Sequence, residues 1–321
     1  MASVSTKRRR TTSNALTITD LPIGFLVDVS SYLSKPSRAI FAVAISASSS
    51  SWKKVDGHQQ VQQLISDSSK AIIAASDWDT LDFADIERNL AERLTDDNLH
   101  AILCIAIQSL RILKLTNCTN FIGDGLKPLQ SSTVLELIDL SLKGKYEKQE
   151  TDPWPRLRRI TVLPILHNII ATEGCSLKYV MLSPDWFSGM YSERTREFLQ
   201  QFTQVFRRRE YDCSKCGKNV NEHLVPRHGL SRQRSVCYNC LKVICDDCHR
   251  DNQSFLYQCT NCKKDYCKDC EEFIPCRKCG QVVCGGCKIT CQGCENSFCQ
   301  QQPCLDDCDC QRMQNLLQAH W

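Results

Sequence analysis

The cysteines constrain this chain more than any other feature of its sequence. Twenty of the 23 cysteines lie between Cys213 and Cys310, and most of them form C-x-x-C pairs. No apolar stretch follows the basic N-terminal segment, so we expect no secretory signal, and in an intracellular protein this density indicates metal rather than disulfides. Two C-x-x-C pairs complete a tetrahedral zinc site, so twenty ligands predict about five structural zinc ions. The predicted ligands are Cys213, Cys216, Cys237, Cys240, Cys245, Cys248, Cys259, Cys262, Cys267, Cys270, Cys276, Cys279, Cys284, Cys287, Cys291, Cys294, Cys299, Cys304, Cys308 and Cys310.

A finer repeat runs through this region, C-x-x-C-x-x-x-φ-C-x-x-C, where φ is Ile244, Tyr266 or Val283 and a degraded copy has Phe298. The repeat resembles the middle of RING, PHD and FYVE modules, in which neighbouring pairs bind different ions in alternation. The resemblance implies that Cys213 and Cys216 share an ion with Cys245 and Cys248, that Cys237 and Cys240 share one with Cys259 and Cys262, and that later pairs alternate likewise. Sequential pairing of neighbouring pairs is the open alternative.

The region also departs from those families. No histidine lies between the second and third pairs, where RING-type ligases usually have a ligand, and the basic His-His stretch of FYVE modules is missing. His223, His228 and His249 are further candidate ligands. Because twenty cysteines already divide into sets of four, we expect these histidines to have surface roles or to support the ligands.

An apolar helical pattern near the N-terminus forms a second motif. Asp20 is a fair N-cap, and the apolar residues that follow share one helix face. The segment resembles the opening of the F-box motif, with Ile45, Ser46 and Trp52 at later motif positions, although Gly24 stands where an acidic residue is usual. The resemblance implies that a Skp-type adaptor docks on Leu21, Pro22, Phe25, Leu26, Val29, Tyr32 and Leu33. An ordinary helical hairpin is the alternative.

An irregular repeat occupies residues 70–191. The pattern L-x-x-L-x-L recurs at 78–83, 110–115, 135–140, 157–162 and 177–182, and it predicts five short strands with helical stretches between them. The second unit resembles the cysteine-containing leucine-rich repeat, in which Cys118 would satisfy the backbone of a turn. Repeats of this size must stack to bury their apolar faces, so we expect a short solenoid that binds other proteins. A plain α/β domain is the alternative.

These motifs predict an α+β multidomain protein. We expect a disordered tail at 1–14, F-box-like helices at 15–56, leucine-rich repeats at 70–191, a connecting helix at 192–212 and a zinc-binding region at 213–310. Lys7 to Arg10 would form either a nuclear localisation signal or a solvated basic tail. Arg207 to Arg209 would complement the dipole at the end of the connecting helix.

The charge, hydropathy and motif content of the chain argue against several classes of function. The net charge of +4 is small, and metal-bound thiolates would make the C-terminal region negative, so nucleic acid is an unlikely partner. No apolar run approaches the roughly 20 residues of a membrane span. No phosphate loop, nucleophile elbow or zinc-protease motif is present, so we expect no catalytic residues.

The resemblances imply that the chain is the substrate-recognition subunit of a cullin–RING ubiquitin ligase. Its partners would be a Skp-type adaptor, a cullin and an unknown protein substrate that is degraded, in the cytoplasm, the nucleus or both. The alternatives are a RING-like ligase acting through the C-terminal region, and a zinc-stabilised interaction scaffold without adaptor binding.

Overall fold

The computed structural model describes residues 22–49, 72, 77–142, 156–187, 192–209, 211–220, 236–245, 247–248, 256–271, 273–290 and 296–298. The chain divides into two compact units, 1–76 and 77–321. The fold is mixed α and β, with clustered cysteines in its C-terminal part. None of the described helices has the length and apolar composition needed to cross a bilayer.

Within residues 22–49, the described part of the first unit forms the helices α1 (Ile23–Ser31) and α2 (Lys35–Ser49). Pro36 lies in the first turn of α2, where its missing N–H costs nothing. The Arg38 side chain donates to the carbonyl oxygens of Ser30 at 2.9 Å and Leu33 at 3.2 Å, which satisfies the end of α1. The predicted basic tail at residues 7–10 lies outside the described residues.

The second unit begins with a four-stranded parallel sheet. Its strands β1 (Thr80–Asp82), β2 (Ile112–Lys114), β3 (Leu137–Asp139) and β4 (Tyr179–Met181) pair in chain order. In that register Leu81, Leu113, Ile138 and Val180 are partners, so they line one face and form a buried ladder. The segments between the strands cover this face.

The connections between strands differ in length and type. A 3-10 turn (Phe83–Asp85), α3 (Arg88–Glu92) and α4 (Asp96–Ala106) link β1 to β2, and a 3-10 helix (Asp124–Ser131) links β2 to β3. Thr95 and Asn98 form a capping box on α4. The Asp96 carboxylate accepts hydrogen bonds from the Ile122, Gly123 and Gly125 amides at 2.7–2.9 Å, which fastens the 3-10 helix to α4.

The predicted strand at 157–162 is wrong. Residues from Arg159 onward form helix α5 (Arg159–Ala171), which connects β3 to β4. The apolar residues Val162, Leu166, Ile169 and Ile170 recur at helical spacing and are buried, whereas Ile160 is 71% exposed. A six-residue L-x-x-L-x-L pattern is compatible with either a strand or a helix. The helical spacing of the apolar residues that follow it favours the helix.

The predicted connecting helix is present as α6 (Ser192–Arg208). Phe198, Phe202 and Phe206 form its buried stripe, and the His167 ring of α5 meets the Phe198 ring edge-on at 5.2 Å. A 3-10 turn (Pro184–Phe187) precedes α6. This packing joins α6 to the sheet domain rather than leaving it as a linker.

Five short strand pairings follow within the described residues, and we call them hairpins 1 to 5. Hairpins 1 and 2 are closed by the bridges Asp212–Asn219 and Val236–Val243. Hairpin 3 pairs β5 (Leu256–Gln258) with β6 (Asp265–Cys267), hairpin 4 pairs β7 (Phe273–Pro275) with β8 (Val282–Cys284), and hairpin 5 pairs β9 (Ile289–Thr290) with β10 (Ser297–Phe298). All five are antiparallel.

Candidate metal centres

The hairpins carry two kinds of cysteine pair. The turn pair lies between the strands, as Cys213 and Cys216 do in hairpin 1. The exit pair begins at the end of the second strand, as Cys267 does in hairpin 3. By sequence, hairpin 1 has a turn pair but no exit pair, while hairpins 2, 3 and 4 have both.

The first four turns share one backbone geometry. The amide of the first cysteine donates to the carbonyl five residues later, at 2.8–3.0 Å, and the amide four residues later donates back to that cysteine's carbonyl, at 2.8–2.9 Å. That fourth residue has positive φ in every case: Gly217, Leu241, Lys263 and Gly280. For leucine and lysine this conformation costs about 1–2 kcal/mol, so the rest of the turn must hold it. The tight turn directs both sulfurs of a pair to one side.

The structure brings twelve cysteines into three groups of four, and within each group the sulfurs lie within 4.8 Å of one another. Close Sγ–Sγ distances are 3.6 Å for Cys216–Cys245, 3.7 Å for Cys240–Cys267 and 3.9 Å for Cys262–Cys284. A tetrahedral zinc ion with Zn–S bonds of about 2.3 Å separates its sulfurs by about 3.8 Å, so each group fits such an ion. The groups are Cys213, Cys216, Cys245 and Cys248; Cys237, Cys240, Cys267 and Cys270; and Cys259, Cys262, Cys284 and Cys287.

The first group has the predicted pairing. The predicted pairing of Cys237 and Cys240 with Cys259 and Cys262 is wrong, and so is the alternation expected among the later pairs. The partners of Cys237 and Cys240 are Cys267 and Cys270, the exit pair of hairpin 3. In each of the three groups, a turn pair meets the exit pair of the following hairpin. The backbones of the two hairpins are bonded there: the Tyr238 amide, for example, donates to the Asp265 carbonyl at 2.7 Å. The turn pair of hairpin 3, Cys259 and Cys262, instead shares a group with the exit pair of hairpin 4. The sites therefore overlap along the chain, and an ion in each would link consecutive hairpins.

The electrostatics of each group favour a cation. Burial would raise the pKa of Cys213, but the amides of Cys245, Cys216 and Lys215 outweigh it and lower that pKa to about 6. Burial would raise the pKa of Cys237, but the amides of Cys240 and Cys267 lower it. The pKa of Cys259 is lowered mainly by the side chains of Cys262, Cys284 and Cys287. Each of these two sulfurs also accepts a hydrogen bond from an exit-pair amide. Burial, reinforced by the neighbouring Cys237, raises the pKa of Cys267 to about 11. Four thiolates this close repel one another, and a bound divalent ion removes that penalty.

The remaining cysteines fall into two classes. Cys276 and Cys279 are described but belong to none of the three groups, whereas Cys291, Cys294, Cys299, Cys304, Cys308 and Cys310 lie outside the described residues, as do His223, His228 and His249. Of the three cysteines before residue 213, Cys104 is exposed, whereas Cys118 and Cys175 are buried. The Cys118 Sγ lies 3.6 Å from the Thr116 carbonyl oxygen, in the predicted turn.

A buried polar cluster joins the sheet to the hairpins, and the sequence analysis did not foresee it. The Asp139 carboxylate of β3 lies 2.7 Å from the Lys264 ammonium and accepts a hydrogen bond from the Tyr238 hydroxyl at 2.6 Å. Burial alone would raise the pKa of Asp139, but Lys264, Ser141 and Tyr238 together hold it below its usual value. The Tyr238 ring also meets Tyr179 and Tyr266 edge-on.

This cluster occupies one face of the sheet. Leu137, Asp139 and Tyr179 point away from the Leu113 ladder, yet each is at most 4% exposed. Lys264 belongs to the third turn, where its carbonyl accepts the Cys259 amide at 2.9 Å. The β3–β4 part of that face is therefore covered by the chain's own hairpins. The sequence signals were Asp139 inside an apolar strand and Tyr238 beside a ligand.

The residues predicted to dock an adaptor divide into exposed and buried sets. Phe25 is 53% exposed and Tyr32 is 90% exposed, and Pro22 is also exposed. Leu26 is 1% exposed and packs in a cluster with Ala42, Ile45 and Ile72, so it holds the first unit together. Val29 and Leu33 are half-buried, while Leu21 and Trp52 lie outside the described residues.

Comparison with protein-family models, with curated proteins and with solved structures gives no match for this chain.

Proposed function

We propose that this chain is a non-catalytic substrate-recognition subunit of a cullin–RING ubiquitin ligase. The observation that carries the proposal is the exposure of two aromatic side chains. Phe25 lies on helix α1, whose Leu26 is fully packed, and Tyr32 directly follows the last residue of that helix. Exposed aromatic residues on a small helical unit are typical of a protein interface, where such residues contribute most of the binding energy. The partner would be a Skp-type adaptor that connects the chain to a cullin, in the cytoplasm or the nucleus.

In this proposal the metal sites are structural and the metal is zinc, about five ions per chain. Four thiolates close a tetrahedral shell and leave no coordination position for water or substrate. A set of soft sulfur ligands in this geometry favours zinc or iron over magnesium or calcium. The ions would hold the hairpins together, because a region with so few large apolar residues gains its folding energy from metal.

The target protein would bind the outer surfaces of the hairpins and the uncovered parts of the repeats. The β3–β4 part of the sheet face is closed, since Asp139 and Tyr179 are buried beneath Tyr238 and Lys264. The first strands are more open, because Ile112 and Lys114 of β2 keep part of their surface exposed. Binding without chemistry would raise the effective concentration of the target near the charged ubiquitin-conjugating enzyme.

The pairing of the metal sites does not favour a RING-like ligase. In the alternating modules, the second and fourth pairs share an ion, whereas here the second pair shares its site with the fifth. An interaction scaffold without adaptor binding remains the second candidate, because the overlapping array of hairpins would serve that role equally well.

The test is binding of the full-length zinc-loaded chain to a purified Skp-type adaptor. Wild-type chain should bind, and the double variant Phe25→Ala/Tyr32→Ala should bind at least tenfold more weakly, which corresponds to about 1.4 kcal/mol. Ile160→Ala is the matched control, since Ile160 is also an exposed large apolar residue, at 71%. Wild-type chain that shows no adaptor binding would contradict the proposal and leave the scaffold.

A further inference from the structure

We infer that Glu271 is a positioning residue that couples the second and third cysteine groups, so that an ion in one group raises the affinity of the other for its own ion. The inference deepens the metal-binding part of the proposed function and rests on it. The second group is Cys237, Cys240, Cys267 and Cys270, and the third is Cys259, Cys262, Cys284 and Cys287.

Hairpin 3 supplies two ligands to each of these groups. Its turn pair, Cys259 and Cys262, belongs to the third group, and its exit pair, Cys267 and Cys270, belongs to the second. The two pairs keep a fixed relation, because the strands β5 and β6 that carry them are paired along their whole length. An ion in either group therefore orders a hairpin that the other group also needs, which gives positive coupling between the two sites.

Glu271 adds a side-chain link between the ligand segments of the two groups. It directly follows the exit pair of hairpin 3, and its amide donates to the Cys267 carbonyl at 3.2 Å. Its half-buried carboxylate accepts a hydrogen bond from the Gly285 amide at 2.7 Å. Gly285 lies between Cys284 and Cys287, the exit pair of hairpin 4. A hydrogen bond to a charged acceptor is stronger than a neutral one, so Glu271 holds this exit pair in place from the second group.

The glycine at position 285 fits this role. A Cβ atom there would lie 2.7 Å from the Glu271 Oε1 atom, so any larger residue displaces the carboxylate. The exit turn itself does not require glycine, because Lys268 occupies the equivalent position in hairpin 3 and Gly285 does not have a positive φ. The contact with Glu271 is therefore the physical reason for a small residue at this point of the turn.

Pulse alkylation of the full-length chain tests the coupling one group at a time. The chain is equilibrated at a series of buffered free zinc concentrations and treated briefly with N-ethylmaleimide, and mass spectrometry measures the protection of each cysteine. Cys237→Ser/Cys240→Ser removes the second site without changing any residue of hairpins 3 and 4. In that variant, half-protection of the third group should require at least about fivefold more free zinc than in the wild type.

Variants of the link then test the role of Glu271. In a Glu271→Ala background, loss of the second site should shift the third group by less than half of the wild-type factor. Glu271→Gln keeps an oxygen acceptor and should keep most of that factor. Asp269→Ala is the matched control, because it removes an exposed carboxylate of the same exit segment, whose partner Lys242 lies in hairpin 2, and it should leave the factor unchanged.

Gly285→Ala should weaken the coupling as Glu271→Ala does. The double variant Glu271→Ala/Gly285→Ala should be no worse than either single variant, because both changes remove the same contact. Should Glu271→Ala fail to fold, the comparison of Glu271→Gln with Gly285→Ala decides in its place.

Two outcomes would overturn the inference while the proposed function stands: zinc protection of the third group that is indifferent to loss of the second site, or a full wild-type factor in both Glu271→Ala and Gly285→Ala. A wild-type chain whose cysteines gain no protection from zinc would instead contradict the metal sites, and with them this part of the proposed function.

Discussion

The Asp139 carboxylate and the Lys264 ammonium lie 2.7 Å apart and are almost fully buried, with side chains 4% and 10% exposed. One residue belongs to the third strand of the sheet and the other to the turn of hairpin 3. Because Lys264 lies in a turn that presents two candidate ligands, the ion pair connects the folding of a metal site to the packing of the sheet.

Removal of one partner of this ion pair should strongly destabilise the protein. Lys264→Met leaves a buried carboxylate without its cation, so the free energy of unfolding should fall by about 3–5 kcal/mol. Lys127→Met is the control, because the Lys127–Asp124 pair is about half exposed and should contribute less than about 1 kcal/mol. Denaturant unfolding of the zinc-loaded chain measures both. Asp139→Asn/Lys264→Met should recover part of the loss, and equal stability of Lys264→Met and wild type would contradict the account.

Metal removal should unfold the hairpins and expose one face of the sheet. With a strong chelator, hydrogen exchange should become faster in the hairpins and at β3 and β4, where Asp139 and Tyr179 lose their cover. The segment around Leu99 and Leu103 in α4, which packs in its own core, should remain protected. Uniform loss of protection across residues 77–187 would show that the sheet has no stability of its own.

The sheet core should not tolerate a charge. Leu115 is 1% exposed, so Leu115→Asp would bury an unpaired carboxylate at a cost of several kcal/mol, in a domain with roughly 5–15 kcal/mol of stability. Ile160→Asp is the control, because Ile160 is 71% exposed. Thermal unfolding followed by circular dichroism should show loss of cooperative folding for the first variant only. A cooperatively folded Leu115→Asp protein would contradict the core assignment.

The two sides of helix α1 should respond differently to truncation. Leu26→Ala creates a cavity beside Ala42 and Ile45 and should destabilise the first unit by about 2–5 kcal/mol. Phe25→Ala should change stability little, because the Phe25 side chain is already 53% exposed. Limited proteolysis of the full chain should therefore cleave within residues 22–49 much faster in Leu26→Ala than in Phe25→Ala. Equal protection of both variants would mean that Leu26 does not hold the helices together.

Local sequence patterns predicted the cysteine pairs, α6 and the four strands of the parallel sheet, because these depend on neighbouring residues; they did not predict the strands of the hairpins. The spacing of Cys213 and Cys216 predicts that they share a metal site, and the spacing of Cys245 and Cys248 predicts that they form another pair. The spacing does not show that Cys237 and Cys240 share a group with Cys267 and Cys270 rather than with Cys259 and Cys262, because that depends on which hairpin backbones are bonded to each other. The 157–162 segment was misassigned because its short apolar pattern fits both a strand and a helix.

The contact between Asp139 and Lys264 had no local signal of comparable strength. The two residues are distant in sequence, and neither segment predicts the contact. Asp139 is an acidic residue at the end of strand β3, and Lys264 is a lysine in a basic turn. Only the approach of hairpin 3 to the sheet gives them a common environment. The burial of this ion pair therefore follows from the three-dimensional structure and could not be predicted from the local sequence pattern.

Cadmium NMR tests the central structural claim, the overlap of metal sites along the hairpins, most directly. In a ¹¹³Cd-substituted chain, each cadmium ion shows scalar coupling to the β-protons of the cysteines that bind it. We expect one ion to correlate with Cys237, Cys240, Cys267 and Cys270, and another to correlate with Cys259, Cys262, Cys284 and Cys287. A cadmium ion that correlates with both Cys237 and Cys259 would contradict the overlapping array.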